Sequence, residues 1–75
     1  MREKLLSILN EICPEIDFEN EKELVDSGLL DSLSITDIIS ELSLEYDITI
    51  PYEQVIPENF NSIDSMLNMI NELNK

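Results

Sequence analysis

Gly28-Leu29-Leu30-Asp31-Ser32-Leu33-Ser34-Ile35-Thr36-Asp37-Ile38-Ile39-Ser40-Glu41-Leu42-Ser43-Leu44-Glu45-Tyr46 is the stretch that decides how this chain reads. From Ser32 onward the apolar residues return at helical spacing. Ile35, Ile38, Ile39, Leu42 and Tyr46 share one face, and the acids fall mainly on the others. The pattern predicts a helix over 32–46, capped at its start by Asp31 or Ser32. Gly28, the single glycine of the chain, is expected to take φ > 0 in a turn that sets up this helix. Asp37, Glu41, Glu45 and Asp47 follow with no basic residue among them. A serine at the mouth of an acidic helix, in a chain with no other reactive group, reads as an attachment point rather than a catalytic nucleophile.

Outward from this stretch the sequence predicts three more helices and no strand. Leu5, Leu9 and Ile12, broadened by Leu6 and Ile8, give a first helix over 2–12. Cys13-Pro14 ends it, because the residue before proline avoids helical geometry. Residues 15–31 form a long acidic connection with Ile16, Phe18, Leu24, Val25, Leu29 and Leu30 as its expected inward anchors. A connection of this length is uncommon in a compact domain and usually has a functional reason. Ile48 and Ile50 alternate with polar residues, but the segment is short and stops at Pro51, so it reads as an extended loop. A short helix is placed near 57–60, proline being tolerated in a first turn. The last helix spans 63–73, capped by Asn61 or Ser62, with Ile63, Met66, Leu67, Ile70 and Leu73 facing inward and Asp64 at its positive end. The expected fold is all-α: a small four-helix bundle of three main helices and one short one, with a long loop between helices 1 and 2. The 75 residues are expected to form one domain.

The charge excludes whole classes of function. Seventeen acids stand against four bases, a net charge of −13, and the bases are Arg2, Lys4, Lys22 and Lys75. A nucleic-acid groove needs Lys and Arg to neutralise phosphates, and none lies between residues 23 and 74. Anionic membrane surfaces are disfavoured for the same reason. The surface calls for a basic patch on another protein. No apolar run exceeds two residues, so neither a membrane span of about 20 apolar residues nor a signal-peptide core is legible. A cytoplasmic monomer is expected. The single Cys13 makes no internal disulfide and reads as a small, semi-buried apolar residue at a helix end.

Chemistry of its own is missing. There is no histidine, hence no Ser-His or Cys-His pair and no general base near neutral pH. One glycine cannot build a Gly-rich phosphate cradle. No Cys or His cluster suits zinc, and no stretch has the calcium-loop alternation. The chain reads as a non-enzyme without a dedicated metal site.

Asp31-Ser32-Leu33, followed by an acidic amphipathic helix that ends in Tyr46-Asp47-Ile48-Thr49-Ile50-Pro51, resembles the acyl carrier protein family. The likeness runs over nearly the whole chain. Asp-Ser-Leu alone recurs by chance; with the flanking spacing and the charge it becomes specific. The resemblance implies that Ser32, flanked by Asp31 and Leu33, is esterified by 4′-phosphopantetheine from coenzyme A, and that the terminal thiol of the arm carries an acyl group as a thioester. It implies that Leu33 is an exposed leucine contacting partner enzymes, and that Asp37 and Glu41 meet their basic patches. The physics suits this role. A helix N-terminus offers free N–H groups, which favour a phosphodiester by roughly 0.3–1 kcal/mol at an exposed site, while Asp31 and the other acids oppose it. The partners implied are a phosphopantetheinyl transferase and an adenylating ligase or acyltransferase with a basic docking patch.

Two departures bear on subtype. Many fatty-acid carriers place a glycine three residues before the modified serine, whereas Gly28 stands four before Ser32; Gly-Leu-Leu-Asp-Ser is more similar to D-alanyl carriers and to stand-alone carriers of specialised pathways. Thr36 and Ser40 stand where fatty-acid carriers commonly have apolar residues on the partner-facing side. Amino-acid cargo therefore competes with a fatty or polyketide acyl chain. Plainer readings also stay open at this stage. Ser32 can serve only as a helix cap, Leu33 as a core residue, and the acidic face as solvated surface. The rival of another class is an unmodified acidic module that docks on a basic partner.

Overall fold

The fold is built from four helices whose limits follow the capping and breaking residues of the sequence. The structure, a computed structural model, describes residues 2–74. Lys75 lies outside them. Helix α1 spans Arg2–Ile12 and buries Leu5 and Leu9. Its last turn closes through the Cys13 N–H, which donates to the Leu9 carbonyl at 2.9 Å, and Pro14 stops it there. Cys13 is a free thiol and is more deeply buried than its place at a helix end suggested.

The connection to the next helix is a chain of turns around buried side chains. Ile16, Phe18, Leu24 and Leu30 reach the core, and Val25 packs beside it half-buried. Leu29 does not, which corrects one expected anchor: it is 46% exposed while its neighbour Leu30 is 3% exposed. The reason is local. The Leu30 N–H donates back to the Leu24 carbonyl at 2.9 Å, turning Leu30 inward and leaving Leu29 on the outside of the turn. Gly28 sits in that turn with φ of 86°. An added Cβ would meet no atom within 4 Å, so the backbone conformation rather than space asks for glycine.

Helix α2 spans Ser32–Tyr46 and buries Ile38 and Leu42. Asp31 is its cap, accepting the Ser34 N–H at 2.8 Å, and Ser32 is the first helical residue. The far end closes on Asp47 in the left-handed region with φ of 52°, a conformation that aspartate tolerates better than most residues. The N–H groups of Asp47 and Ile48 both point to the Ser43 carbonyl. Residues 48–51 run extended as expected, with Ile48 buried. A single 3₁₀ turn over Tyr52–Gln54, not foreseen from the sequence, follows Pro51. Helix α3 spans Pro57–Phe60 and buries Phe60. The Asn59 amide donates to the Gln54 carbonyl at 2.7 Å and ties α3 to the 3₁₀ turn.

Helix α4 spans Ile63–Leu73. Ser62 caps it, accepting the Ser65 N–H at 3.1 Å. Ile63, Met66 and Ile70 are buried, and Met69 joins them although the expected stripe omitted it; Leu67 and Leu73 are only partly buried. α1 packs against both α2 and α4, and α3 packs against α4, so the buried stripe of α4 is widened by two neighbours. Each fully buried Leu, Ile, Phe or Met side chain contributes roughly 1.5–3 kcal/mol relative to exposure. No strand occurs among the described residues.

Asn61 is not a cap. Its carbonyl accepts the Leu24 N–H at 2.9 Å. Its side-chain Oδ1 accepts the N–H groups of Val25 and Asp26 at 3.0 and 3.1 Å, and its Nδ2 donates to the Asp26 carboxylate at 3.0 Å. One residue between α3 and α4 thus clamps the segment that leads into Gly28 and Ser32.

Candidate functional site

Ser32 stands exposed at the first position of α2, on the edge of a groove of about 330 Å³. One wall is α2, through Ser32, Ile35, Thr36 and Ile39. The facing wall is the 3₁₀ turn and α3, through Tyr52, Val55, Ile56, Pro57 and Phe60, with Val25 of the clamped loop between them. Helical periodicity explains the first wall: Ser32, Ile35, Thr36 and Ile39 fall at steps of three and four. The second wall exists because Pro51 and Pro57 bracket a turn that folds back over α2. The walls are mostly apolar.

Asp31 takes the helix terminus for itself. Its carboxyl is held below the ordinary aspartate value, first by the Ser34 N–H and then by the Ser34 hydroxyl; desolvation opposes them, and the Leu33 and Asp31 N–H groups add less. It is therefore ionised at neutral pH. This qualifies one physical expectation: of the donors at the N-terminus of α2, the Ser34 N–H is already engaged by the Asp31 carboxylate.

The other residues singled out from the sequence divide by position. Leu33 is 78% exposed, which removes the core reading. Asp37 and Glu41 are exposed, and with Leu33 they follow at four-residue steps along one face of α2. Ser40 is exposed one turn beyond Thr36. The Thr36 hydroxyl donates to the Ser32 carbonyl at 2.8 Å, so it is spent on its own helix. Tyr52 and Ile56 escaped the sequence reading, and Val25 was expected only as an inward anchor of its loop. They lie outside the periodic stretch, and only the fold carries them to Ser32.

No described base lies near Ser32. Arg2 pairs with Asp64, Lys4 with Glu45 at 3.5 Å, and Lys22 with Asp64 at 3.8 Å, and Lys4 also lies over the Tyr46 ring. These pairs are exposed and contribute little each. They leave the Ser32 end of α2 with carboxylates alone. Among the described residues no group of three or more His, Cys, Asp or Glu is placed to hold a metal ion, and no helix is long and apolar enough to cross a membrane.

The chain matches the family model described as phosphopantetheine attachment site over residues 2–70. It is 28% identical to the D-alanyl carrier protein of Streptococcus mutans serotype c, over 97% of this chain and 94% of that one. It is 33% identical to aminoacyl carrier protein 2 of Bradyrhizobium diazoefficiens, over 85% of this chain and 71% of that one. The D-alanyl carrier protein of Bacillus velezensis is 24% identical, over 96% of this chain and 95% of that one.

Proposed function

Because this chain belongs to the phosphopantetheine-binding family of carrier proteins, we propose that Ser32 is the residue bearing its prosthetic arm and that the cargo is an amino acid or a similarly small acyl group. The chain is a carrier and not an enzyme, and its cofactor is covalently attached 4′-phosphopantetheine. The family match disfavours the unmodified docking module. When attached, the arm supplies a terminal thiol that holds cargo as a thioester.

One observation carries the assignment of Ser32: an exposed hydroxyl, within Asp31-Ser32-Leu33, on the first residue of a helix at the edge of a groove. A transferase reaches it without disturbing the core. The chain has no histidine, and the neighbouring Asp31 carboxylate is made a weaker base by its bonds to Ser34, so the transferase is expected to supply the group that takes the serine proton. The bond formed is Ser32 Oγ to phosphorus, and the bond broken is in the pyrophosphate of coenzyme A, whose nucleotide portion leaves. Asp31 fixes the start of α2 and so fixes where the hydroxyl is presented. Its charge pushes a phosphodiester outward toward solvent and the groove mouth. Leu33, Asp37 and Glu41 present a leucine and two carboxylates to the partner, with Thr36 and Ser40 beside them. That partner is an adenylating ligase, or an acyltransferase, with a basic docking patch. The thiol of the arm and the free Cys13 suit a reducing, cytoplasmic setting.

The D-alanyl and aminoacyl relatives, Gly28 four residues before Ser32, and Thr36 and Ser40 on α2 support the small-cargo reading. The apolar groove walls favour the second reading, a fatty or polyketide acyl chain. Loading separates them. The holo protein, offered ATP, D-alanine and a D-alanine-adenylating ligase, should gain the mass of one aminoacyl group. Charging by a fatty-acid elongation enzyme in preference to that ligase overturns the small-cargo reading.

A further inference from the structure

Asn61 stands half-buried at the C-terminal end of α3, and it bonds to one short segment far away in sequence. Its carbonyl accepts the Leu24 N–H, its Oδ1 accepts the Val25 and Asp26 N–H groups together, and its Nδ2 donates to the Asp26 carboxylate. From there the path to Ser32 is short. The Leu24 carbonyl accepts the Leu30 N–H at 2.9 Å, and the next residue, Asp31, caps α2 with Ser32 in its first position. Ser32 has no helical turn before it, so the segment that leads into α2 sets where its hydroxyl lies. Val25 lines the groove between its two walls, and Phe60, the chain neighbour of Asn61, lines the wall facing α2. Asn61 thus joins α3 to the approach to Ser32.

We propose that Asn61 is a positioning residue for attachment of the arm: it holds the approach to Ser32 against α3, so that the hydroxyl reaches the transferase in one place. The proposal rests on Ser32 being the modified residue. The bonding pattern asks for an amide. The oxygen must accept two backbone N–H groups while the nitrogen donates to a carboxylate. Aspartate has the same shape and keeps the acceptor, but it sets a second carboxylate against Asp26. The bond to Asp26 is exposed and adds little to the stability of the fold. What it fixes is orientation: with Nδ2 held by Asp26, Oδ1 is turned toward the two N–H groups. Asn61 bonds to none of Leu33, Asp37 and Glu41, so it acts on where the hydroxyl is and not on how the partner binds.

The experiment uses the unmodified full chain, coenzyme A, Mg²⁺ and a broad-specificity phosphopantetheinyl transferase, at a temperature where circular dichroism shows every variant folded. The kcat and the KM for the carrier are read for wild type, Asn61→Asp, Asp26→Asn, the double variant and Asn59→Ala. Asn61→Asp should lower kcat about tenfold or more and leave KM within about threefold, because misplacing a reacting atom by about 1 Å costs up to roughly 10²-fold in the chemical step. Asp26→Asn keeps an acceptor for Nδ2 and should stay within about twofold of wild type. The double variant should return kcat to within about threefold of wild type, since the amide at 26 then donates to the carboxylate at 61, which still accepts both N–H groups. Asn59→Ala loses bonds within the same region and should leave kcat within about twofold, which separates positioning from a general loss of stability. Amide hydrogen exchange on wild type gives a reading that depends on no variant: Val25, Asp26 and Leu30 should be protected together. Wild-type kcat in Asn61→Asp overturns the proposal, as does a loss confined to KM. A loss that the double variant does not recover, or that Asn59→Ala matches, also overturns it, and so do Val25 and Asp26 amides that exchange as fast as in an unfolded chain. In each of these cases a mass gain by wild type leaves the Ser32 reading intact. Folded wild type that gains no mass from the transferase overturns the Ser32 reading and this role of Asn61 together.

Discussion

Replacing Asn61 by alanine should loosen the segment that delivers Ser32, by an amount that the hydrogen bonds fix. The substitution keeps the bond from the Leu24 N–H to the residue-61 carbonyl. It removes three side-chain bonds: those accepted from the Val25 and Asp26 N–H groups and the one donated to the Asp26 carboxylate. The two at Asp26 are exposed, and water replaces them at a net loss near the lower end of about 0.5–1.5 kcal/mol each. The Val25 N–H is part-buried, and leaving it without an acceptor costs about 1–3 kcal/mol. The total is about 2–4 kcal/mol, a large share of the roughly 4–11 kcal/mol expected for a chain of this size. At about 4–8 °C per kcal/mol, the melting temperature should fall by roughly 8–32 °C. Urea denaturation followed by circular dichroism reads the free energy directly. Asn59→Ala is the comparison: its two amide bonds stay within 54–59, and at about 0.5–1.5 kcal/mol each it should cost about 1–3 kcal/mol without loosening residues 24–26. A loss below about 0.5 kcal/mol in Asn61→Ala would refute the clamp.

Three further outcomes follow from the charges. Residues 23–74 hold 11 acids and no base, so moderate NaCl or millimolar Mg²⁺ should raise the melting temperature; a flat or falling value would show that the repulsion is negligible. Asp37→Lys with Glu41→Lys should slow modification and loading through weaker association, with helix content kept and the deficit shrinking at high salt; unchanged loading by every partner removes this face from the mechanism. Asp31 is held below its ordinary value of 3.8 in the fold, so its capping contribution is complete above that value and is lost as pH falls through the lower native one. The stability gap between wild type and Asp31→Ala, measured by urea titration, should therefore narrow on acidification; a gap that widens contradicts the assignment of the cap.

The helices were legible because each is bounded by residues with a mechanism. Pro14 ends α1, Pro57 opens α3, and the periodic stripes of α2 and α4 place their cores. The sequence could only narrow the caps to pairs, and tertiary geometry decided them: Asp31 over Ser32, and Ser62 over Asn61. Asn61 shows why. Local reading sees a short polar residue before a helix, but its partners are 35 and 36 residues away. Leu29 and Leu30 are indistinguishable in a stretch without periodicity, and one backbone bond to Leu24 separates them. Met69 was missed because α4 is packed by both α1 and α3, which widens its buried face. In the candidate site, the positions of Ser32, Leu33, Asp37 and Glu41 follow from α2 alone. The opposite wall, with Tyr52 and Ile56, comes from a turn whose position depends on the whole fold.

The central claim is that Ser32 bears the arm, and intact-mass measurement of the chain incubated with coenzyme A, Mg²⁺ and a broad-specificity phosphopantetheinyl transferase tests it most directly. Wild type, and variants with Ser27, Ser34 or Ser40 replaced by alanine, should each gain the mass of one phosphopantetheinyl group together with one new thiol. Ser32→Ala should gain neither and keep its helical spectrum, since Asp31 rather than Ser32 caps the helix. A mass gain that persists in Ser32→Ala, or its absence from folded wild type, would contradict the account.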